Sequence, residues 1–232
     1  MIPQAIGFFG WKRPQIAAKT LRGLARCHGI ERWPLIAFLD AGSDPATTKA
    51  IEGWTASPLL GIRQSSDKLG CSGNLTRGIM DLFDLCSDRF IVLEDDVYPA
   101  EDFIDYMEFQ LDTRARWDAQ TVAAYCPTSE RRNSVWERLQ LEERTIPGFH
   151  CWGWGTWADR RTFFEEALLP VRGDKHDDSW DVRLYRHPEA RCVVPRLCHT
   201  LNIGTIDWTH TPGEDLTPEE WAGSENPRDI RQ

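Results

Sequence analysis

The chain has 232 residues, with 36 Asp and Glu against 27 Lys and Arg and a formal net charge of −9; no basic cluster offsets that deficit, which argues against a nucleic-acid partner held by counterion release. No apolar run approaches the roughly 20 residues needed to cross a bilayer, and the opening MIPQAIGFFGW is too short in its apolar part and lacks a basic leader. The expectation is a cytoplasmic protein with no integral membrane segment and one substantial core.

Seven cysteines, at 27, 71, 86, 126, 151, 192 and 198, contain no CxxC spacing, so zinc-site and thioredoxin-like readings fail. Free thiols in a reducing compartment are expected, with a Cys192–Cys198 bridge as the alternative. Eleven tryptophans crowd toward the second half, a usage that fits sugar-stacking surfaces and ordinary core packing alike.

In chain order, Ile6 to Phe9 reads as a strand, 10–14 as a turn, and the stretch from Pro14 as a helix with Ile16, Ala17, Thr20, Leu21 and Leu24 on one face. Leu35 to Leu39 is a second strand ending in Asp40, before a turn over 41–45. A third, around 61–64, is thin in apolar residues. Asp67 to Asn74 forms a glycine-bearing loop, and the following helix shares Leu75, Ile79, Leu82 and Phe83 on one face.

Phe90-Ile91-Val92-Leu93 is four consecutive apolar residues, the pattern of a strand buried on both faces of a parallel sheet, and it runs straight into Glu94-Asp95-Asp96. Pro99 is expected to open the next helix, with Phe103, Tyr106, Met107 and Leu111 together, and 121–125 to form a further strand. This alternation predicts an α/β, Rossmann-like three-layer fold with a mostly parallel sheet. Ligands of such sheets sit beyond the carboxyl ends of the strands, where the three acids fall. Adjacent carboxylates raise one another's pKa unless a cation compensates, and oxygen ligands suit a hard divalent ion.

The second half is different in kind. Residues 129–144 are charged and read as an excursion with a short helix or hairpin, 149–160 is a loop dense in glycine and aromatics, and 174–181 is a second acidic cluster leading into a helix. A closing segment spans 202–210, and the stretch from Pro212 reads as a lid or loosely ordered tail. No repeat or linker divides the chain, so 1–232 is expected to be one domain, with a nucleotide-binding half (1–126), an acceptor or catalytic half (127–211) and the tail (212–232).

Seven ordered pieces, FFGWKRPQIAAKTLRGL, LIAFLDAGS, KLGCSGNLTRGI, FIVLEDDVYPAEDFIDYM, FHCWGWGTW, DDSWDVRLYR and VVPRLCHTLNIGTIDWTH, covering roughly 5–210, resemble the GT-A glycosyltransferases. The similarity is to the branch of N-acetylglucosaminyltransferase I and its protein O-mannose relative, with small bacterial glycosyltransferases. It implies a GT-A fold and a nucleotide-diphospho-sugar donor, UDP-linked and of the UDP-GlcNAc kind, with Mn²⁺ or Mg²⁺ as cofactor. By the resemblance Asp96 contacts the metal directly, with Asp95 and His210 beside it. Phe9, Arg13, Asp40, Lys68, Asn74, Glu94, Asp95, Trp152 and Gly153 would meet the donor, Arg13 and Asp40 holding the base, and Trp154 would share the lining with Trp152. Asn74 stands where the animal enzyme has histidine. The DDSWDV piece resembles the family's Trp-Asp-Asp-Trp turn and implies Asp178 as the catalytic base, with Asp177 and Asp181 as competing acids.

The function expected is inverting, metal-dependent sugar transfer to a hydroxyl of a glycan or other small acceptor, in polysaccharide or glycan biosynthesis. A sugar-nucleotide nucleotidyltransferase and an inactive sugar-binding module are the alternatives. A nucleotidyltransferase should carry a glycine-rich basic loop after its first strand, of which Gly10 to Pro14 is a poor version.

Overall fold

The computed structural model describes residues 1–113, 119–125, 144–169, 179–195 and 198–204. The elements in order are β1 (Ile2–Gly10), α1 (Pro14–Leu24), β2 (Leu35–Leu39), α2 (Pro45–Glu52), β3 (Leu59–Gln64), α3 (Gly70–Leu85), β4 (Cys86–Glu94), β5 (Val97–Pro99), α4 (Phe103–Thr113), β6 (Thr121–Ala123), β7 (Arg144–Pro147), β8 (Trp154–Trp157), α5 (Arg161–Leu168), α6 (Trp180–Arg186), β9 (Arg191–Val194) and β10 (Thr200–Asn202).

Among the described residues an eight-stranded sheet runs in the order β3-β2-β1-β4-β8-β6-β9-β7, and β10 and β5 make a separate two-stranded ribbon. Strands β3, β2, β1 and β4 are mutually parallel. β8 is antiparallel to both β4 and β6, β9 is parallel to β6, and β7 is antiparallel to β9. Six strands therefore point one way and two the other, giving the mostly parallel three-layer architecture that the strand and helix alternation predicts.

The side chains of Phe90, Ile91, Val92 and Leu93 are all fully buried. The pleat still divides them: Ile91 and Leu93 join Ile6, Phe8, Leu21, Leu24, Ile104 and Met107 on the face covered by α1, α2 and α4. Phe90 and Val92 join Phe9, Phe38, Ile79, Leu82, Phe164 and Trp180 on the face covered by α3, α5 and α6. Continuous apolarity is the consequence of having a helical layer on each side.

Three local readings are corrected. Pro99 does not open a helix: it ends β5, which pairs antiparallel with β10, and α4 starts at Phe103. The Asp44-Pro45 turn continues into α2, with the Asp44 carboxylate accepting the Ala46 amide at 2.8 Å and Pro45 at the first helical position, a start signal that was legible. The aromatic loop contains β8, whose four residues are buried between β4 and β6. The charged excursion lies outside the described residues up to 143, and Arg144 begins the edge strand β7. Cys192 and Cys198 are not joined to one another, and Cys27, Cys71, Cys86 and Cys151 are thiols. No helix among the described residues is long and apolar enough to cross a membrane.

Candidate functional site

The acids after β4 are fixed from three directions. The Asp95 amide donates to the Phe9 carbonyl at 2.8 Å, which extends the β1 pairing by one residue. Thr20 of α1, itself buried, donates from Oγ1 to the Asp95 carbonyl at 2.7 Å. From the other side the Ile203 amide, just past β10, donates to the Asp96 carbonyl at 2.7 Å. The carboxyl end of β4 is thus a rigid corner shared by the main sheet and the ribbon.

Arg13, the residue before α1, lies across the Asp95 and Asp96 carboxylates. Its Nη1 donates to Asp96 Oδ2 at 2.8 Å and its Nη2 to Asp95 Oδ1. The Asp95 side chain is 3% exposed, that of Asp96 16% and that of Arg13 34%. Burial pushes the Asp95 carboxyl up to about 6, against the pull of Arg13. Burial also raises Glu94 well above the usual carboxylate range, with Asp96, Asp95 and Asp181 adding to the shift and Arg13 opposing it.

Asp181, the last acid of the second acidic cluster of the sequence, adds to the rise at Glu94. It lies in the first turn of α6 and accepts a hydrogen bond from Ser179 Oγ. The Trp180 amide donates to Ser72 Oγ at 3.1 Å, docking the start of α6 on the start of α3. Burial pushes the Cys71 thiol up to about 12, with Glu94, Asp96 and Asp181 adding to the shift, and burial with Glu94 and Asp181 raises Cys151. Asp177, Asp178 and His210 lie outside the described residues.

Beyond the acids lies an exposed aromatic ring flanked by cations. Trp11 has Lys12 Nζ 4.5 Å and Lys68 Nζ 5.2 Å from its ring centre. Its indole N–H donates to the Ala41 carbonyl at 3.1 Å, and its own carbonyl accepts from Ser43 Oγ at 2.6 Å. Trp11 was missed in the sequence, where it reads as part of a turn. The signal was its position one residue past a strand that ends at the expected ligand edge.

Several residues expected at the donor make contacts within the chain. Asp40 is 4% exposed, and its carboxylate accepts the amides of Ala41 (2.9 Å), Leu69 (2.8 Å) and Gly70 (2.9 Å), anchoring the start of α3 to the end of β2. Arg13 is turned to the acids rather than toward a base held by Asp40. Asn74 is buried, donating to the Phe38 carbonyl at 3.2 Å and accepting from Arg77 at 3.2 Å. Phe9 is a core ring stacked on Phe38 with centroids 4.9 Å apart. Trp154 is a core residue too, stacked 5.6 Å from Phe164 and 6.2 Å from Trp180.

Trp152 and Gly153 stay at the candidate edge. Trp152 is half-buried against Tyr125, 4.4 Å between centroids, and its carbonyl accepts from Thr200 Oγ1 of β10 at 2.7 Å. Gly153 has φ +74°, and a Cβ there would lie 2.8 Å from Thr200 Cγ2, so the turn needs glycine for both conformation and space.

The donor chemistry of Asp95 and Asp96 fits Mn²⁺ or Mg²⁺, since both supply hard carboxylate oxygens. Among the described residues no group of three or more His, Cys, Asp or Glu could hold a metal. The pair therefore fits half of an oxygen site, of the kind completed by a diphosphate and water.

No protein-family model and no curated protein sequence matches this chain. Solved structures do, and they define the class: the fold is the GT-A type of glycosyltransferases. The mannosyltransferase PcManGT from Pyrobaculum calidifontis, in complex with GDP-Man and Mn²⁺, superposes with a TM-score of 0.52 and 13% identity, over 85% of this chain and 58% of that one. S. aureus TarS 1-349 in complex with UDP-GlcNAc gives a TM-score of 0.58 and 10% identity, over 92% of this chain and 60% of that one. The same fragment with UDP gives 0.52 and 11%, over 86% and 60%. This chain thus spans about three-fifths of the length of those structures.

Proposed function

We propose that the chain is an inverting, metal-dependent glycosyltransferase that moves a sugar from a nucleotide diphosphate, a UDP-sugar of the UDP-GlcNAc kind, to a hydroxyl of a glycan or other small acceptor. The observation that carries this reading is the Asp95–Asp96 carboxylate pair at the carboxyl end of β4, bridged by Arg13, with the Trp11 amide 3.4 Å from Asp95 Oδ2 and the Trp11 ring flanked by Lys12 and Lys68. It supports a donor whose base stacks on Trp11 and whose phosphates draw on the lysines, with the diphosphate reaching toward Asp96. The GDP-Man, UDP and UDP-GlcNAc complexes of the structural neighbours support a nucleotide-sugar over other anionic ligands.

Asp96 and Asp95 would hold the divalent cation, with His210 as a further ligand; when bound it supplies neutralisation of the charge on the departing diphosphate. Glu94 and the 152–153 turn would border the donor sugar. Asp178 would accept the proton of the acceptor hydroxyl, with Asp177 and Asp181 as the other acids of that cluster, while the hydroxyl attacks the anomeric carbon opposite the leaving group. One displacement inverts the centre and needs no covalent sugar intermediate. In this reading 1–126 is the nucleotide-binding half, 127–211 the acceptor or catalytic half and 212–232 a tail or lid, in a cytoplasmic enzyme of glycan or polysaccharide biosynthesis.

A thermal-shift screen of UDP, GDP, CDP and dTDP, each with and without Mn²⁺, tests the reading on wild type and Asp96→Ala. UDP should raise the midpoint only with Mn²⁺, and Asp96→Ala should abolish the rise; silence with every nucleotide would sink the proposal. Among Asp177→Asn, Asp178→Asn and Asp181→Asn, the base is the position that lowers kcat by about 10²–10⁴-fold while keeping the UDP–Mn²⁺ shift.

A further inference from the structure

Arg13 has an unusual position for a ligand-reading arginine, since one guanidinium nitrogen is spent on each of two adjacent carboxylates. Asp95 and Asp96 are consecutive and little exposed, so together they repel unless a cation sits between them. Arg13 supplies that cation in the free protein. The contact is closed off from above by the end of the ribbon: a Cβ on Gly204 would lie 2.4 Å from Asp96 Oδ2 and 3.1 Å from Arg13 Nη1. Only glycine lets the backbone pass this close to the ion pair.

The same oxygens are the hard donors that fit a divalent cation. A metal cannot share Asp96 Oδ2 with a guanidinium nitrogen 2.8 Å away, because two positive charges would then face each other in a partly desolvated corner. Arg13 is built to leave. It precedes the first turn of α1, its side chain makes no helix cap, and it is the most exposed member of the trio. Its planar fork also suits a diphosphate as well as it suits a carboxylate pair.

We propose that Arg13 is a built-in counter-ion that occupies the Asp95–Asp96 pair until donor and metal enter together, and then turns to the diphosphate. This deepens the metal-dependent reading above and rests on it. Arg13 is a positioning residue in this scheme: it bridges the two carboxylates in the free protein and makes metal entry depend on the nucleotide.

The test is binding of Mn²⁺ alone to the full chain, followed by the electron paramagnetic resonance of free Mn²⁺, for wild type, Arg13→Gln and Arg13→Lys, each repeated with saturating UDP. An opposite charge at this range shifts cation binding to a carboxylate by about 10–1,000-fold, so Arg13→Gln should bind Mn²⁺ alone at least about tenfold more tightly than wild type. With UDP the advantage should vanish, because the guanidinium has already left the acids. Equal Mn²⁺ affinity of Arg13→Gln and wild type without UDP, while both bind with it, would overturn the counter-ion and leave the metal site standing. Failure of wild type to bind Mn²⁺ even with UDP would instead remove the metal reading and this inference with it. Where Arg13→Gln does not fold, Arg13→Lys carries the test: its single ammonium meets one carboxylate at a time, so it should bind Mn²⁺ alone more tightly than wild type, and equality would overturn the proposal.

Discussion

The two halves of the sheet are made by different rules. From β3 to β1, each strand is followed by its own helix and lies beside a strand adjacent to it in sequence, so local pattern and spatial neighbour agree. From β8 to β7 they do not: β8 inserts antiparallel beside β4, and β6, earlier in the chain, lies outside it. The first half could be read as repeated strand–helix units. The second could not, because its strands are three or four residues long and are defined by partners distant in sequence.

The largest way to break that comparison is at Trp154, the keystone of the inserted strand. It is fully buried among Phe90, Phe149, Phe164 and Trp180, so Trp154→Ala should cost about 3–5 kcal/mol in urea unfolding. If the halves differ in kind, amide exchange in β8 and β9 should accelerate more than in β1 and β2. Uniform acceleration would mean that they unfold as one.

Asp40→Ala comes next. It removes the acceptor of three amides at the junction of β2 and α3, a loss of about 1.5–3 kcal/mol in thermal or chemical unfolding. An unchanged stability with weakened UDP binding would return Asp40 to the role that the resemblance implies. Gly78→Ala should follow at about 1–3 kcal/mol, since a Cβ would lie 2.3 Å from the Phe9 ring and 2.9 Å from Phe38, two stacked rings with little room to move. A neutral result would show that the first half is packed more loosely than its regular pattern suggests.

The smallest effect is expected where the ribbon meets α4. His199 Nδ1 lies 2.9 Å from Asp102 and stacks on Tyr106 with centroids 4.2 Å apart. Burial opposes the shift, but the His199 hydrogen bond and charge hold the Asp102 carboxyl below its ordinary value of 3.8. A carboxyl depressed in the folded state contributes stability above its unfolded value and loses it as pH falls through the folded one. Asp102 is 59% exposed, so Asp102→Asn should cost less than about 1 kcal/mol near neutral pH. The difference from wild type should disappear below about pH 3–4, as followed by thermal midpoints across pH. A difference that persists in acid would assign the loss to packing rather than charge.

Legibility followed the source of the signal. β4 was plain because burial on two faces forces four apolar residues in a row, and α1 and α3 because their buried positions recur at helical spacing. β3 was faint because an edge strand keeps partly exposed residues such as Leu60 and needs no apolar run. The tryptophans of 152–157 were ambiguous by nature: the same indole serves a sugar or a core, and only neighbours divide half-exposed Trp152 from buried Trp154.

The sequence by itself determined the α/β alternation, the parallel first half and the placing of Glu94, Asp95 and Asp96 at a strand end, since these follow from periodicities of two to four residues. Tertiary structure alone decided that α6 docks on the start of α3, that Arg13 closes on Asp95 and Asp96, and that Asp40 is consumed by backbone amides. A carboxylate's chemistry is set by what stands within hydrogen-bonding distance, and those neighbours lie far away in the chain: 83 residues from Arg13 to Asp96 and 29 from Asp40 to Leu69.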